Sequence, residues 1–283
     1  MTPLLFVLLW STGFIGAKFG LPYAQPLTFL SWRFIAVIIL MLGLVLIMRA
    51  PWPSTRRSAM HIGVTGLLVH GVYLGGVFMA IAHGLPSGIA ALVVGLQPLI
   101  TALAAGVWLG EKVRPAQWAG LALGFVGVAL VVLDKVAAVP GDALWAMLLP
   151  AFVALLGITA GTLYQKRFCP VFDLRTGSVI QYLPCLLLLA PLAYFTESTQ
   201  VVWSGEFVFA LAWLVLVLSL GAVTLLNVMI RNGSAVNVAS LFYLTPAMTA
   251  LIAWAVFGET LSALALIGMA IAATGVWLAR QAR

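Results

Sequence analysis

A scattered set of hydrogen-bonding and aromatic side chains lies inside long apolar stretches of this chain, where a polar group needs a partner. The residues that we predict to contact a small solute are Trp10, Thr12, His70, Tyr73, Gln97, Thr159, Tyr164, Asn227, Tyr243 and Thr245. Hydroxyls, amides and aromatic rings suit a zwitterion with a variable side chain, and they do not resemble a single-ion filter. We therefore expect a cavity for a small polar metabolite.

Each of these residues also has a structural interpretation. Hydroxyls within helices often bond back to their own backbone, and aromatic side chains at helical spacing usually serve packing. Asn227 needs either another helix or a substrate as its partner. Arg33 is the only charge well inside a span, where its stem can snorkel outward. We favour a structural arginine bonded to backbone carbonyls over a substrate or gating role, and His70 is the only plausible proton carrier in a span.

Two prolines predict hinges within the apolar stretches. Pro98 and Pro246 each lack an amide donor, which frees the carbonyl four residues earlier, at Val94 and Phe242. Such carbonyls are costly in lipid but become acceptors beside a water-filled cavity. Gln97 and Thr245 precede the two prolines at matched positions. We predict hinges beside the substrate, and a kink used only for packing is the alternative.

The apolar stretches that carry these residues indicate an integral membrane protein. Hydrophobic residues make up 64% of the 283 residues and charged residues only 7%, against about 25% in soluble domains. A spanning helix needs about 20 apolar residues. Polar and Gly/Pro punctuation predicts ten spans, at 3–20, 27–48, 61–83, 87–108, 115–133, 143–165, 176–195, 207–230, 235–257 and 262–280. The first is read as a span and not as a cleaved signal, because it lacks a basic leader.

Basic residues set the predicted orientation. With the N-terminus in the cytoplasm, the cytoplasmic segments hold 11 Lys and Arg residues and the outer segments hold 2, with Arg33 left over. This bias predicts that both termini are cytoplasmic. The net charge of +7 therefore reflects topology, and we predict no nucleic-acid partner. Two cysteines are too few for a disulfide framework or a zinc cluster, so no metal or cofactor is expected.

The chain contains an internal duplication at a constant offset of 148 residues, which pairs Pro98 with Pro246 and the Gly-Glu pair 110–111 with 258–259. Between 91–130 and 239–278, 14 of 40 positions are identical. Five spans per copy place the second copy in the opposite orientation. The matched loops agree, because LGEKVR at 109–114 keeps two cations and FGETLS at 257–262 has none. We predict repeats at 1–135 and 143–283, arranged as the inverted repeats of secondary transporters.

The motifs WSTGF, GLQPLITAL, LGE and GLALGFVGVAL, with LTP and GE in the second copy, resemble the EamA half-domain of the drug/metabolite transporter superfamily. Within it, the chain resembles bacterial amino-acid exporters of the YddG type. The resemblance implies ten helices around a central cavity lined by helices 1, 3, 4, 6, 8 and 9, with helices 5 and 10 at the back.

The predicted fold class is therefore an all-α polytopic membrane protein, with two inverted five-helix repeats around a central cavity. The predicted function is alternating-access export of small polar metabolites across the bacterial inner membrane, amino acids including aromatic ones foremost. The same fold carrying drugs or other metabolites is the alternative. An intramembrane enzyme is disfavoured, because no HExxH motif and no Asp pair lies in a span. The partners are a small solute and the lipid bilayer, and no oligomer is required.

Overall fold

A computed structural model of the chain describes residues 2–136, 144–169, 171–257 and 261–281. The described residues are almost entirely helical. The helices are α1 (Thr2–Gly20), α2 (Pro26–Met48), α3 (Arg56–Gly66), α4 (Tyr73–Ala82), α5 (Ser87–Val94), α6 (Gln97–Trp108), α7 (Pro115–Val136), α8 (Leu144–Phe168), α9 (Leu174–Thr196), α10 (Gly205–Trp213), α11 (Val223–Asn232), α12 (Ala235–Ala239), α13 (Leu244–Phe257) and α14 (Ala263–Gln281). The predicted start at residue 61 is therefore late by about a turn.

Eight of the predicted spans correspond to described helices that are long and apolar enough to cross a membrane. At the fifth and tenth positions, α7 and α14 carry the described apolar stretches Pro115–Leu130 and Ala263–Ala279. Large apolar side chains cover the outer surface of the bundle, such as Ile47 and Phe195, each 81% exposed. A soluble protein rarely exposes contiguous apolar surface on this scale, whereas lipid accepts it. The chain is thus a multi-pass membrane protein.

Three of these long helices change their helical type along their length. A π-helical segment, Leu67–Val72, joins α3 to α4, and another, Leu214–Ala222, joins α10 to α11. A 3₁₀ turn, Ser240–Tyr243, joins α12 to α13. π segments inside α-helices are uncommon and are frequent at functional sites. The helix Arg56–Ala82 and the helix Gly205–Asn232 are therefore the elements whose packing bears most directly on a site.

Local sequence explains where several helices begin. Side-chain oxygens of Thr55, Asp173, Ser204 and Ser234 each accept a hydrogen bond from a backbone N–H in the first turn of the following helix. Such caps satisfy amides that have no partner within the helix. Proline begins α2 at Pro26, where its missing N–H costs nothing.

Glycines bring α7 and α14 into direct backbone contact. A Cβ added at Gly127 would lie 2.6 Å from the carbonyl oxygen of Gly268, and one added at Gly275 would lie 2.6 Å from that of Gly120. No side chain fits at this distance, so the four glycines allow the two backbones to touch. Small residues are the usual means of close helix packing in membranes.

Candidate functional site

A small cavity lies where α1, α2, the Arg56–Ala82 helix and the Gly205–Asn232 helix meet. Its volume is about 20 Å³, which is room for roughly one water molecule. The polar and large aromatic side chains of its wall are Trp10, Phe14, Arg33, His70, Tyr73 and Phe78. The lining differs from the expected set, because α2 contributes Arg33 and none of the described lining residues lies on the fourth, sixth or ninth span. An amino acid needs more room than this cavity offers in this structure.

One wall of the cavity is a cluster of aromatic rings. The Trp10 indole stacks on the Tyr73 ring, with centroids 6.0 Å apart and planes at 16°. Phe242 meets the same indole edge to face at 5.4 Å. The structure therefore brings together Trp10 and Tyr73, which the sequence analysis selected from different spans. Flat aromatic faces of this kind bind apolar and aromatic groups, with about 0.5–1.5 kcal/mol per ring pair beyond area burial.

The opposite side of the cavity holds Arg33, whose guanidinium is completely buried. Its Nε and Nη2 donate to the hydroxyl oxygen of Ser219, at 3.2 and 3.0 Å, and its Nη1 has no hydrogen-bond partner. The side chain does not snorkel outward, and the hydrogen bonds described for it go to a hydroxyl and not to backbone carbonyls. The structural role that we favoured from the sequence therefore does not describe its contacts.

His70 lies beside this arginine, on the π-helical segment. Its imidazole stacks on the Tyr182 ring of α9, with centroids 4.2 Å apart and planes at 13°. Arg33 and Gln181 are its polar neighbours. The His70 Nε2, the Gln181 Oε1 and the Tyr182 hydroxyl are all buried and make no hydrogen bond of good geometry, although Gln181 lies beside the imidazole and Arg33 and Ser219 lie beside the phenol. Buried polar atoms are normally hydrogen-bonded, so a concentration of unpartnered ones indicates a place where a ligand or water binds.

Two further predicted residues form polar contacts between helices. Gln97 donates to the Thr162 hydroxyl of α8 at 3.3 Å, and its own carbonyl oxygen has no partner. The Asn227 side-chain oxygen accepts a hydrogen bond from Gln165 at 2.8 Å. These pairs join α6 and α11 to α8. Asn227 thus has the partner on another helix that its position in a span requires.

The remaining predicted residues do not line the cavity. Thr12 accepts a hydrogen bond from the Trp213 indole at 2.9 Å, in an apolar groove between α1, α10 and α13. Thr159 donates back to its own helix, to the Leu155 carbonyl at 2.7 Å. The Tyr164 hydroxyl lies 2.7 Å from the His61 Nδ1, toward the predicted cytoplasmic end. Each of these groups already has a partner.

Tyr243 and Thr245 are buried near the interruption between α12 and α13. The Tyr243 ring fills the space above Gly124 of α7, where an added Cβ would lie 2.5 Å from it, so the ring points toward the back of the bundle. The Thr245 hydroxyl is unpartnered, and its backbone carbonyl oxygen accepts a hydrogen bond from Ser11 at 3.3 Å. Ser11 thereby joins α1 to α13 close to Pro246.

Both predicted hinge prolines lie just after a break in a helix. The helix α5 ends at Val94, and Pro98 is the second residue of α6. Pro246 is the third residue of α13, which follows the 3₁₀ turn. Proline is tolerated in a first turn, because its N–H would have no partner there. An irregular segment therefore interrupts the helix just before each proline.

Charged side chains join the helix ends on the predicted cytoplasmic side. The Lys166 Nζ donates to the carbonyl oxygens of Ile230 and Gly233, at 3.0 and 2.6 Å. One Glu111 carboxylate oxygen accepts from the Ala235 amide at 2.9 Å. These contacts tie α8 and the loop after α6 to the chain between α11 and α12. The Gly-Glu motif after α6 thus fixes the start of the helix that bears the second proline.

On the other side, Glu197 joins α9 to the start of α2. Its carboxylate accepts from the Leu27 and Thr28 amides, both at 2.8 Å, and from the Thr28 hydroxyl at 2.7 Å. A carboxylate at a helix N-terminus also interacts favourably with the helix dipole. Both ends of the bundle are therefore held by polar contacts in this structure, while the cavity lies between them.

Apart from Arg33, sequence reasoning missed Ser219 and Tyr182. Ser219 lies 186 positions from the arginine that it binds, and nothing local marks it. A signal existed for α9, since Gln181 stands at the position matching Arg33 in the second copy. The next residues on each helix, Phe34 and Tyr182, are also matched, and their rings lie 5.3 Å apart.

The fold is that of a multi-pass membrane protein with a small buried cavity between its helices. The EamA-like transporter family matches residues 2–133 and again residues 144–281. The chain belongs to this family.

Several relatives are similar over most of their length. The chain is 27% identical over 255 residues, 90% of this chain and 81% of the relative, to the "Uncharacterized inner membrane transporter YedA" of Escherichia coli K12. It is 26% identical to a "Probable amino-acid metabolite efflux pump" of Salmonella typhimurium, over 97% of this chain and 92% of the relative. One solved crystal structure matches with a TM-score of 0.76 at 22% identity, covering 99% of this chain and 95% of the other, which bears on the fold alone.

Proposed function

We propose that this transporter exports small polar metabolites, amino acids including aromatic ones foremost, across the bacterial inner membrane by alternating access. The observation that carries the proposal is the buried cavity, in which an aromatic wall (Trp10, Tyr73) faces polar groups (Arg33, His70). An aromatic amino acid presents the same two kinds of surface. The name of the Salmonella relative is consistent with such a solute.

We infer that the two EamA-like halves, 1–135 and 143–283, form inverted repeats of five helices each. The irregular segments support this, since the π segment at 67–72 and the one at 214–222 lie at about the 148-residue offset. The break at 95–96 and the start of α13 at Leu244 also match. The paired glycine contacts of α7 and α14 exchange under the same offset. Two-fold arrangements of this kind suit alternating access.

In the proposed cycle, the segments before Pro98 and Pro246 act as hinges. Each lies beside a polar contact to a neighbouring helix, Gln97 to Thr162 and Thr245 to Ser11. The cation bias of the loops supports a cytoplasmic location for both termini. Bending at one hinge opens the cavity to one side only, because the inverted copies present their hinges to opposite faces.

The purified chain in liposomes tests this function. Counterflow of each of the twenty amino acids is measured against empty liposomes and against the Trp10→Ala variant. We expect exchange of at least one aromatic amino acid, reduced by loss of the indole. Flux of an amphipathic drug without flux of any amino acid would instead favour the alternative, a drug exporter of the same fold. No solute flux with correctly folded protein would contradict the transporter proposal.

A further inference from the structure

Arg33 is a buried cation without a counter-charge in the described part of the chain. An arginine keeps its proton in proteins, and removing an unpaired charge from water costs several kcal/mol even after relaxation. The acidic residues of the described ranges lie at helix ends or in loops: Glu111, Asp134, Asp173, Glu197 and Glu206. None stands near the middle of a helix, where Arg33 stands. A structural role alone does not account for the charge, because a neutral side chain could hydrogen-bond to Ser219 without this cost.

The geometry leaves one face of the guanidinium available to a ligand. Two nitrogens share the Ser219 oxygen, and the third, Nη1, is buried in the wall of the cavity and makes no hydrogen bond of good geometry, with the Tyr182 side chain as its neighbour on α9. A planar guanidinium binds a carboxylate through two parallel N–H···O bonds, which a single hydroxyl cannot provide. The contacts with Ser219 therefore use only some of the N–H donors of the guanidinium.

A bridging water is the simplest alternative occupant. The void holds roughly one water molecule, and His70, Gln181 and Tyr182 have unpartnered atoms nearby. A water would satisfy hydrogen bonds but would leave the positive charge unbalanced. A small anion satisfies both requirements, and so it is favoured over water wherever the cavity widens enough to admit it.

A cleft on the predicted cytoplasmic side is also basic. A cleft of about 520 Å³ between α2, α9 and the Gly205–Asn232 helix is lined by Arg175 and Arg231, with Asp173 as its acidic residue. Its wall includes Leu220, the residue that follows Ser219. Positive charge at an entrance raises the local concentration of anionic groups.

We propose that Arg33 binds the carboxylate group of the transported solute, while the Trp10–Tyr73 pair contacts its apolar part. This inference rests on the proposed function and narrows it to carboxylate-bearing metabolites. The carboxylate displaces the Ser219 hydroxyl from the guanidinium as the cavity widens. Solutes that keep the amino group and the side chain but lack the carboxylate are then poor substrates.

Counterflow of phenylalanine and of phenylalanine amide in liposomes tests the proposal. The parent chain should prefer the acid. Arg33→Gln should raise the half-saturating concentration of phenylalanine by about 10- to 100-fold, the worth of a hydrogen bond to a charged group, and should leave the amide unaffected. Arg33→Lys should keep part of the preference, and Ser219→Ala should keep the acid-over-amide preference. Arg57→Gln makes the same change at an exposed position and serves as the control.

Thermal stability separates the proposal from a structural role. If Arg33 serves binding, Arg33→Gln should unfold at the same temperature as the parent or higher, because an unpaired buried charge is removed. A lower unfolding temperature together with a parallel loss of acid and amide transport would assign Arg33 a structural role and overturn the proposal. Equal transport of acid and amide by the parent chain would overturn it while the transporter function stands.

A binding assay decides the inference if the parent moves no amino acid. In that case the proposed function fails, and benzoate is used as a carboxylate probe of the detergent-solubilised protein. A benzoate-dependent rise in unfolding temperature in the parent, absent in Arg33→Gln, would support the carboxylate site. No rise in the parent, or an equal rise in both proteins, would contradict it.

Discussion

Lys166 holds two helices together at the predicted cytoplasmic end of the bundle. Its Nζ contacts the carbonyl oxygens of Ile230 and Gly233, which lie at the end of α11 and just beyond it. The last carbonyls of a helix have no partner within the helix, and the helix dipole favours a cation there. We expect this contact to stabilise the state that is closed to the cytoplasm.

Replacing Lys166 with Met removes the charge and keeps the apolar stem. A hydrogen bond to a charged group contributes about 1.5–3 kcal/mol when buried. Lys166 is only half-buried, so we discount the pair of bonds to about 1–2 kcal/mol in total. That change lowers the ratio of closed to open molecules by about 5- to 30-fold.

A reporter cysteine in place of Thr101, whose hydroxyl is buried and unpartnered in α6, measures the opening. The native thiols should react slowly with maleimide, because Cys169 and Cys185 are both buried and burial raises the pKa of the Cys169 thiol. Maleimide labelling from the cytoplasmic side should be about 5- to 30-fold faster in Lys166→Met. Lys112→Met, at an exposed loop lysine, should label like the parent. Equal rates in Lys166→Met and the parent would refute the reasoning.

Four further predictions address topology, packing, hinges and pH. Cysteines placed at 112 and 260 should react from opposite faces of intact membranes, and labelling from one face would contradict the inverted repeat. Gly127→Ala should be about 1–3 kcal/mol less stable than Gly43→Ala in a thermal-unfolding comparison, because only the former would clash with backbone. Pro98→Ala and Pro246→Ala should fold, lose transport, and shift the labelling of cavity cysteines toward opposite states; parental transport in both would make the prolines packing features. Hydrogen bonds from Arg175 hold the pKa of Asp173 below its usual value. The stability that they add is therefore present above about pH 4 and is lost as the pH falls through the lowered pKa. The free energy of unfolding of Asp173→Asn should not show this loss at low pH.

The sequence predicted the helices well because lipid imposes a simple rule on length and polarity. The second span was expected at 27–48 and is Pro26–Met48, and the first was expected at 3–20 and is Thr2–Gly20. The π segments were not predicted, since a wider helical turn depends on the neighbours that the helix packs against.

The types of residue at the site could be predicted from the sequence better than the directions in which their side chains point. Successive residues of an α-helix point about 100° apart, so Thr12 points roughly 200° away from Trp10 and leaves the cavity. Tyr243 turned toward Gly124, where the missing Cβ leaves space for a ring. Arg33 was underestimated because its partner is distant in sequence, and its stem is long enough to reach water in an isolated helix.

The two halves of the chain carry the same residue at some matched positions and different residues at others, and these two sets of positions lie in different parts of the structure. Residues that recur at the 148-residue offset, such as Pro98 with Pro246 and Gly127 with Gly275, lie at helix breaks and close backbone contacts. The proposed inverted repeat would need such features twice, once for each face of the membrane.

Side chains that contact a solute are needed only once, because a solute has no two-fold symmetry. Most polar and aromatic residues of the cavity wall have an apolar partner at the offset, which pairs Trp10 with Ile158, His70 with Leu218 and Tyr73 with Gly221. Arg33 is paired with Gln181, which is polar but neutral. The second copy therefore carries no cation at the position that matches Arg33. If Arg33 binds a carboxylate as we propose, the carboxylate is bound in one orientation only.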